Sequence, residues 1–157
     1  LGVFASQVRK KLSSLVTGYP PPYFSLPDLD GVPCTLDDFE GKYVYLFFGT
    51  PDHYGCMMEY PFLQSYQEKH ADYLQVLTVM VSEEREELDD FMERNGYGWK
   101  VLHYEGQPGL LLDYLVRGFP TAYLIGPDGK LILSPSPLPS DGFEQQLFRI
   151  MRSRGEI

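Results

Sequence analysis

The chain has 157 residues, and 13 Lys plus Arg against 22 Asp plus Glu give a formal net charge of −9. That length suits one domain able to bury a core without staples, and 43% hydrophobic with 15% aromatic residues exclude an acidic disordered chain. Two cysteines, Cys34 and Cys56, exclude a disulfide scaffold, and the acidic balance argues against a nucleic-acid or anionic-membrane surface, which needs clustered Lys and Arg.

No stretch approaches the ~20 apolar residues of a membrane span, and no signal peptide is expected. The chain begins at Leu1 rather than Met, as a processed or trimmed product would. Residues 1–17 read as an amphipathic helix, with Phe4, Val8, Leu12 and Leu15 at helical spacing and Arg9, Lys10 and Lys11 between them. Gly18 and the run Tyr19-Pro20-Pro21-Pro22 end it, because proline lacks the helix N–H and biases the preceding residue to extended geometry. We therefore expect residues 1–19 to be a helix and linker, and residues 20–157 to be the folded domain.

Residues 23–26 and 32–36 flank the turn signal Asp28-Leu29-Asp30-Gly31 and predict a hairpin. The near-continuous apolar run 43–48 is what a strand buried on both faces needs. A helix is expected over 56–70, a second buried strand over 74–81, and then a helix capped by Ser82, with acids at 83–87 in its first turns and Asn95-Gly96 at its end. Residues 99–102 predict a short strand, and Pro108 opens a short helix to Tyr114. Strands over 121–125 and 130–133 are joined by Pro127-Asp128-Gly129. Three prolines make 134–140 an extended connector, and Asp141 is expected to cap a last helix carrying Phe143, Leu147, Ile150 and Met151. The order ββ, βαβα, a short segment, then ββα predicts an α/β fold with a mixed sheet and helices on both faces.

Three motifs in this order carry a resemblance. The first is Phe24-Ser25-Leu26-Pro27-Asp28-Leu29-Asp30-Gly31 with Thr35-Leu36-Asp37-Asp38-Phe39-Glu40-Gly41-Lys42. The second is Leu46-Phe47-Phe48 through Cys56, with Glu59, Pro61 and Leu63 in a Cys-x-x-Glu-x-Pro-x-Leu spacing. The third is Val116-Arg117-Gly118-Phe119-Pro120-Thr121 followed by Ile125-Gly126-Pro127-Asp128-Gly129-Lys130. Together they resemble the thioredoxin fold, and more narrowly the TlpA/ResA-type thiol:disulfide oxidoreductases within the AhpC/TSA-Redoxin superfamily, over residues 20–152. The resemblance implies a three-layer α/β/α sandwich with a mixed central sheet and an N-terminal hairpin extension. It also implies a bacterial periplasmic or cell-envelope setting.

The family's chemistry needs Cys-x-x-Cys at the start of the first long helix, where the dipole stabilises a thiolate and a second thiol resolves the mixed disulfide. Here the segment is His53-Tyr54-Gly55-Cys56: Cys56 matches the resolving position, and His53 stands where the attacking cysteine belongs. An intramolecular Cys-x-x-Cys disulfide is excluded by residue identity. Cys56 is either a surviving reactive thiol or an inert buried side chain, and the burial tendency of free cysteine favours the second. His53 is either a base, a metal ligand or a solvent-facing remnant. The dipole disfavours its imidazolium, and two ligands are too few for a metal site even with His70 and His103 as distant candidates, His70 being expected at an exposed helix end.

Peroxiredoxins carry Pro-x-x-x-Thr-x-x-Cys on the same fold, but Gly49 and His53 occupy the Pro and Thr positions here. Cys34 reads as a strand residue without chemistry, and a Cys34–Cys56 disulfide is not expected. Glu59 either polarises the site or is a helix-surface carboxylate. Pro120 is expected to be cis and to face the redox position, with Phe119 and Tyr54 either bordering an apolar peptide groove or packing on each other. Two functions follow. One is a redox-impaired module that binds a protein or peptide beside Pro120, without cofactor or metal. The alternative is a single-cysteine thiol oxidoreductase or peroxidase-like enzyme that works through Cys56 by mixed disulfides.

Overall fold

The run Tyr43–Gly49 forms strand β3 of this chain, and all seven of its residues are buried. Alternation sends Tyr43, Tyr45 and Phe47 into one core and Val44, Leu46 and Phe48 into a second on the opposite face. The computed structural model describes residues 15–157. The helix expected over 1–17 lies outside the described residues except for 15–17, which are turn and bend.

Ahead of β3, β1 (Leu26–Pro27) and β2 (Pro33–Cys34) pair antiparallel as a short hairpin. After it come α1 (Tyr54–Met57), α2 (Tyr60–His70), β4 (Leu74–Met80), α3 (Arg85–Asn95) and β5 (Lys100–His103). The chain ends with α4 (Pro108–Asp113), β6 (Thr121–Ile125), β7 (Leu131–Leu133) and α5 (Phe143–Ser153). The main sheet has the order β5-β4-β3-β6-β7, with β3, β4 and β5 parallel and β6 and β7 antiparallel to their neighbours. Helices α2, α3 and α5 contribute to the first core. Helix α4 and the hairpin contribute to the second. This is a thioredoxin-like α/β/α arrangement of a mixed sheet.

Several boundaries differ from the sequence expectation for local reasons. The helix expected over 56–70 begins at Tyr54 and breaks at Met58–Glu59, because Pro61 has no N–H to donate to residue 57 and its ring crowds that carbonyl. Pro61 is instead near the start of α2, where the missing donor costs nothing. Ser82 does not cap α3. Glu84 is the N-cap, in a reciprocal capping box with Glu87, and the Ser82 hydroxyl donates to the Glu84 carbonyl. Asp141 lies in a short 3-10 turn (Pro139–Asp141), and Gly142, at φ 89°, provides the left-handed residue that starts α5. His70 is not at an exposed helix end: its Nε2 is 2.7 Å from Glu144 Oε2 and its Nδ1 is 2.7 Å from the Tyr73 hydroxyl. It therefore ties α2 to α5.

The hairpin is fastened to the far edge of the sheet. Asp28 bridges to Leu102 through the backbone, and its Oδ2 accepts from Lys100 Nζ at 2.8 Å. The Lys100 hydrogen bond, helped by backbone donors of Val32 and Asp30, holds the Asp28 carboxyl below its usual range. A depressed carboxylate stabilises the fold above its unfolded pKa of ~4, and that contribution disappears as pH falls through the lower folded value. Asp28→Asn should therefore lower stability by about 1 kcal/mol near neutral pH. The deficit should shrink progressively in urea titrations repeated at falling pH, as the Asp28 carboxylate takes up its proton. A deficit unchanged by acid would assign the cost to the turn rather than to the charge.

Candidate functional site

Strand register builds the site. Phe48 pairs with Thr121 across the antiparallel β3–β6 seam, so Gly49 and Pro120 emerge side by side at one end of the sheet. The Phe119–Pro120 peptide is cis. A Cβ placed on Gly55 would lie 3.6 Å from Pro120 Cδ, so the cis proline stands over the turn that begins α1.

His53 is the N-cap of α1. Its Nδ1 accepts from the Gly55 N–H at 3.1 Å, and its own N–H donates to Thr50 Oγ1 at 3.0 Å. An imidazole accepting at Nδ1 carries its proton on Nε2. The side chain is exposed and serves as a helix cap in this arrangement. Among the described residues no three His, Cys, Asp or Glu side chains cluster as a metal would need.

Cys56 has no exposed surface. Its sulfur packs against the end of β3, 3.3 Å from where a Gly49 Cβ would stand, and beside the Thr50 backbone and the Tyr60 hydroxyl. Burial pushes the thiol up from its ordinary value, against the opposing hydrogen bonds from the Thr50 backbone and Tyr60. The Tyr60 hydroxyl donates to the Thr50 carbonyl at 2.6 Å, and burial raises its own pKa far above the usual tyrosine range.

Cys34 is on the other face of the sheet, in the core with Leu26 and Leu102, and burial followed by the Asp38 side chain pushes its thiol up to about 11. Both cysteines are free. Glu59 is buried, not on the helix surface, and its two oxygens accept from the Ser140 N–H at 2.9 Å and the Ser140 hydroxyl at 2.7 Å.

Phe119 is half-buried and packs against both cores, whereas Tyr54 is 76% exposed and stacks on no ring among the described residues. The two therefore do not simply pack on each other. Thr50, Tyr60 and Ser140 belong to the site without having been marked in the sequence, where Gly49 stood out only as lacking the peroxiredoxin proline. Tyr60 could have been found one helical turn after Cys56. Ser140 has no such signal, being 81 residues from Glu59.

A prediction follows from the close approach at Gly49. A Cβ there would stand 2.7 Å from the Tyr60 hydroxyl and 2.9 Å from the Phe47 ring. Gly49→Ala should cost about 1–3 kcal/mol by overpacking, read as a lower urea midpoint. A neutral substitution would show that the Tyr60–Thr50 bond is not rigid.

The family model described as AhpC/TSA family matches residues 17–134. The thiol-disulfide oxidoreductase ResA of Bacillus subtilis is 31% identical over 121 residues, 76% of this chain and 66% of ResA. The chain thus spans slightly less than two thirds of that relative. The thioredoxin-like protein YneN of the same species is 31% identical over 123 residues, 78% of this chain and 72% of YneN. Among solved structures, a thiol:disulfide interchange protein from Bacteroides sp. superposes with TM-score 0.74 at 27% identity, covering 85% of this chain and 89% of the other. The thioredoxin domain of a thiol-disulfide oxidoreductase from Bacteroides vulgatus, at 24% identity and TM-score 0.76 over 86% of this chain and 98% of that one, matches in fold. A sheet with a cis proline beside its first helix, matched over three quarters of the chain, places this protein in the AhpC/TSA family, in the thioredoxin-like TlpA/ResA-type branch of thiol-disulfide oxidoreductases.

Proposed function

We propose that this domain is a redox-impaired member of its family that binds a protein or peptide segment beside cis-Pro120, bordered by Tyr54 and Phe119. The observation that carries this reading is the state of Cys56. Its sulfur is fully buried, its thiol is pushed up by that burial, and the position three residues before it is His53, which caps the helix. Disulfide exchange needs an accessible thiolate to attack and a second thiol to resolve. Cys34 cannot resolve, because the sheet lies between it and Cys56. The same geometry weighs against mixed-disulfide or peroxidase-like turnover through Cys56 alone. What remains is a turn that exposes Tyr54, Met57 and Met58, with the cis proline standing over its Gly55. Kinship with ResA supports a bacterial envelope setting for this role.

Two measurements test the reading. Cys56→Ser should leave binding of an extended labelled peptide within about twofold of wild type, and Tyr54→Ser should weaken it by about tenfold, the range for losing an aromatic anchor. A Cys56→Ser variant that loses binding, together with steady reduction of a disulfide-bonded model peptide by the wild type, would contradict the proposal. His53→Cys should restore a redox pair, since residues three apart on a helical turn approach to ~5–6 Å. The variant should lose two free thiols on mild oxidation. Retention of both would show that the turn at 53–56 no longer holds redox geometry.

A further inference from the structure

Beside the site, a cleft of about 640 Å³ lies between the Pro51–Asp52 loop and α3. Its rim carries Asp52, Glu87, Asp90 and Glu93, against one cation, Arg94. Pro51, Phe91 and Arg94 continue into a second cleft of about 380 Å³, whose walls are Met57, Tyr60 and Tyr97. The groove is thus acidic at one end, while at the other Met57, Phe91 and Tyr97 offer apolar surface beside Arg94 and Asn95.

Met57, on the wall of the second cleft, belongs to a turn whose apolar side chains the core leaves out. Tyr54, Met57 and Met58 recur at the i, i+3, i+4 spacing of one helical turn, and are 76%, 48% and 55% exposed. Apolar side chains grouped in this way mark interaction surfaces, and methionine adapts to varied partners.

The acidic end is only partly compensated, Arg94 being the one cation on its rim. Residues 83–95 hold seven acids (Glu83, Glu84, Glu86, Glu87, Asp89, Asp90, Glu93) and two bases, Arg85 and Arg94. Arg85 is turned away, its guanidinium 3.3 Å from where a Gly31 Cβ would stand, at the hairpin turn. The His70–Glu144 and Lys100–Asp28 ion pairs lie elsewhere, and among the described residues Asp52, Asp90 and Glu93 form no ion pair. Acids within a Debye length of ~8 Å repel one another, and a cation entering among them relieves that repulsion and gains attraction. An anionic segment would meet the opposite.

We propose that this groove docks a cationic polypeptide segment, with Lys or Arg between Asp52 and α3 and an apolar side chain against Met57 and Tyr97. The inference rests on the binding-module reading and adds the chemistry of the partner. Its charge complements both the groove and the net −9 of the chain.

The test is fluorescence anisotropy on the full chain with three labelled peptides: alternating Lys and Leu, alternating Glu and Leu, and alternating Lys and Gly. The Lys/Leu peptide should bind at least tenfold more tightly than either other, and less tightly as salt rises. The double variant Glu87→Gln/Asp90→Asn, which keeps the capping box, should lose about three- to tenfold for that peptide and should not weaken the Glu/Leu peptide. Met57→Ser should weaken it as well. Equal binding of the Lys/Leu and Glu/Leu peptides, or indifference to the double variant, overturns the inference. If that indifferent binding is still lost in Tyr54→Ser, the site beside Pro120 stands and only the groove assignment fails. If no peptide binds, both fail. Two other occupants would also overturn it. Tenfold tighter binding in Arg9→Gln/Lys10→Gln/Lys11→Gln would place the chain's own basic segment in the groove. Dimers in sedimentation that dissolve in Met57→Ser would place a second copy there.

Discussion

Strand β3 is covered on both faces, and the site follows from where that burial stops. Aromatic side chains fill both sides of the strand, with the Tyr45 ring centroid 4.0 Å from Phe143 on one face and that of Phe48 5.1 Å from Tyr114 on the other. Each such side chain contributes about 1.5–3 kcal/mol when fully buried. At Gly49 the side chain disappears, and the space is taken by Cys56 Sγ and the Tyr60 hydroxyl. The end of the strand thereby holds the start of α1 in place, and β6, in register with β3, delivers Pro120 opposite it. This juxtaposition at the end of the sheet is a consequence of strand pairing, independent of which residues occupy positions 53 and 56.

That independence separates fold from chemistry in this chain. The helix start is complete: it has an N-cap in His53, a sulfur in its first turn and a cis proline above it. What the attacking thiol would do requires a thiolate with access to solvent. His53 supplies a hydrogen bond instead, its Nδ1 accepting from the Gly55 N–H, and in the proposed reading it stands in the place of that thiol. Cys56 faces inward, where burial disfavours the charged form. The buried Glu59 carboxylate, a second candidate for polarising the site, has both oxygens engaged by Ser140. Its hydrogen bonds tie α2 to the connector before α5.

The sequence made the sheet legible because burial writes itself into periodicity. The apolar run at 43–48 and the strand at 121–125 were readable to within a residue, since both strands are flanked by turn chemistry. The motif order around Cys56, Glu59 and Phe119-Pro120 made the family readable as well. Other features depend on contacts between distant segments. Glu59 reads as either a site-polarising or a helix-surface carboxylate until Ser140 meets it, and His70 reads as exposed until Glu144 does. The break at Met58–Glu59 was written in Pro61, but a helix-wide pattern on either side masked it. The acidic stretch 83–87 reads as a solvated face. It gains meaning only when Asp52, distant in sequence, is seen across the cleft from Glu87 and Asp90.

The central claim is that Cys56 is a buried, protonated thiol in the native protein. The most direct measurement is the pH dependence of Cys56 alkylation in the folded Cys34→Ser variant, which leaves a single thiol to follow. The account predicts slow modification at neutral pH and a half-rate point above the ~8.5 of a free cysteine. Rapid modification at pH 7 with a half-rate point below ~7 would reveal an accessible thiolate of the kind that catalytic cysteines use, and would contradict it.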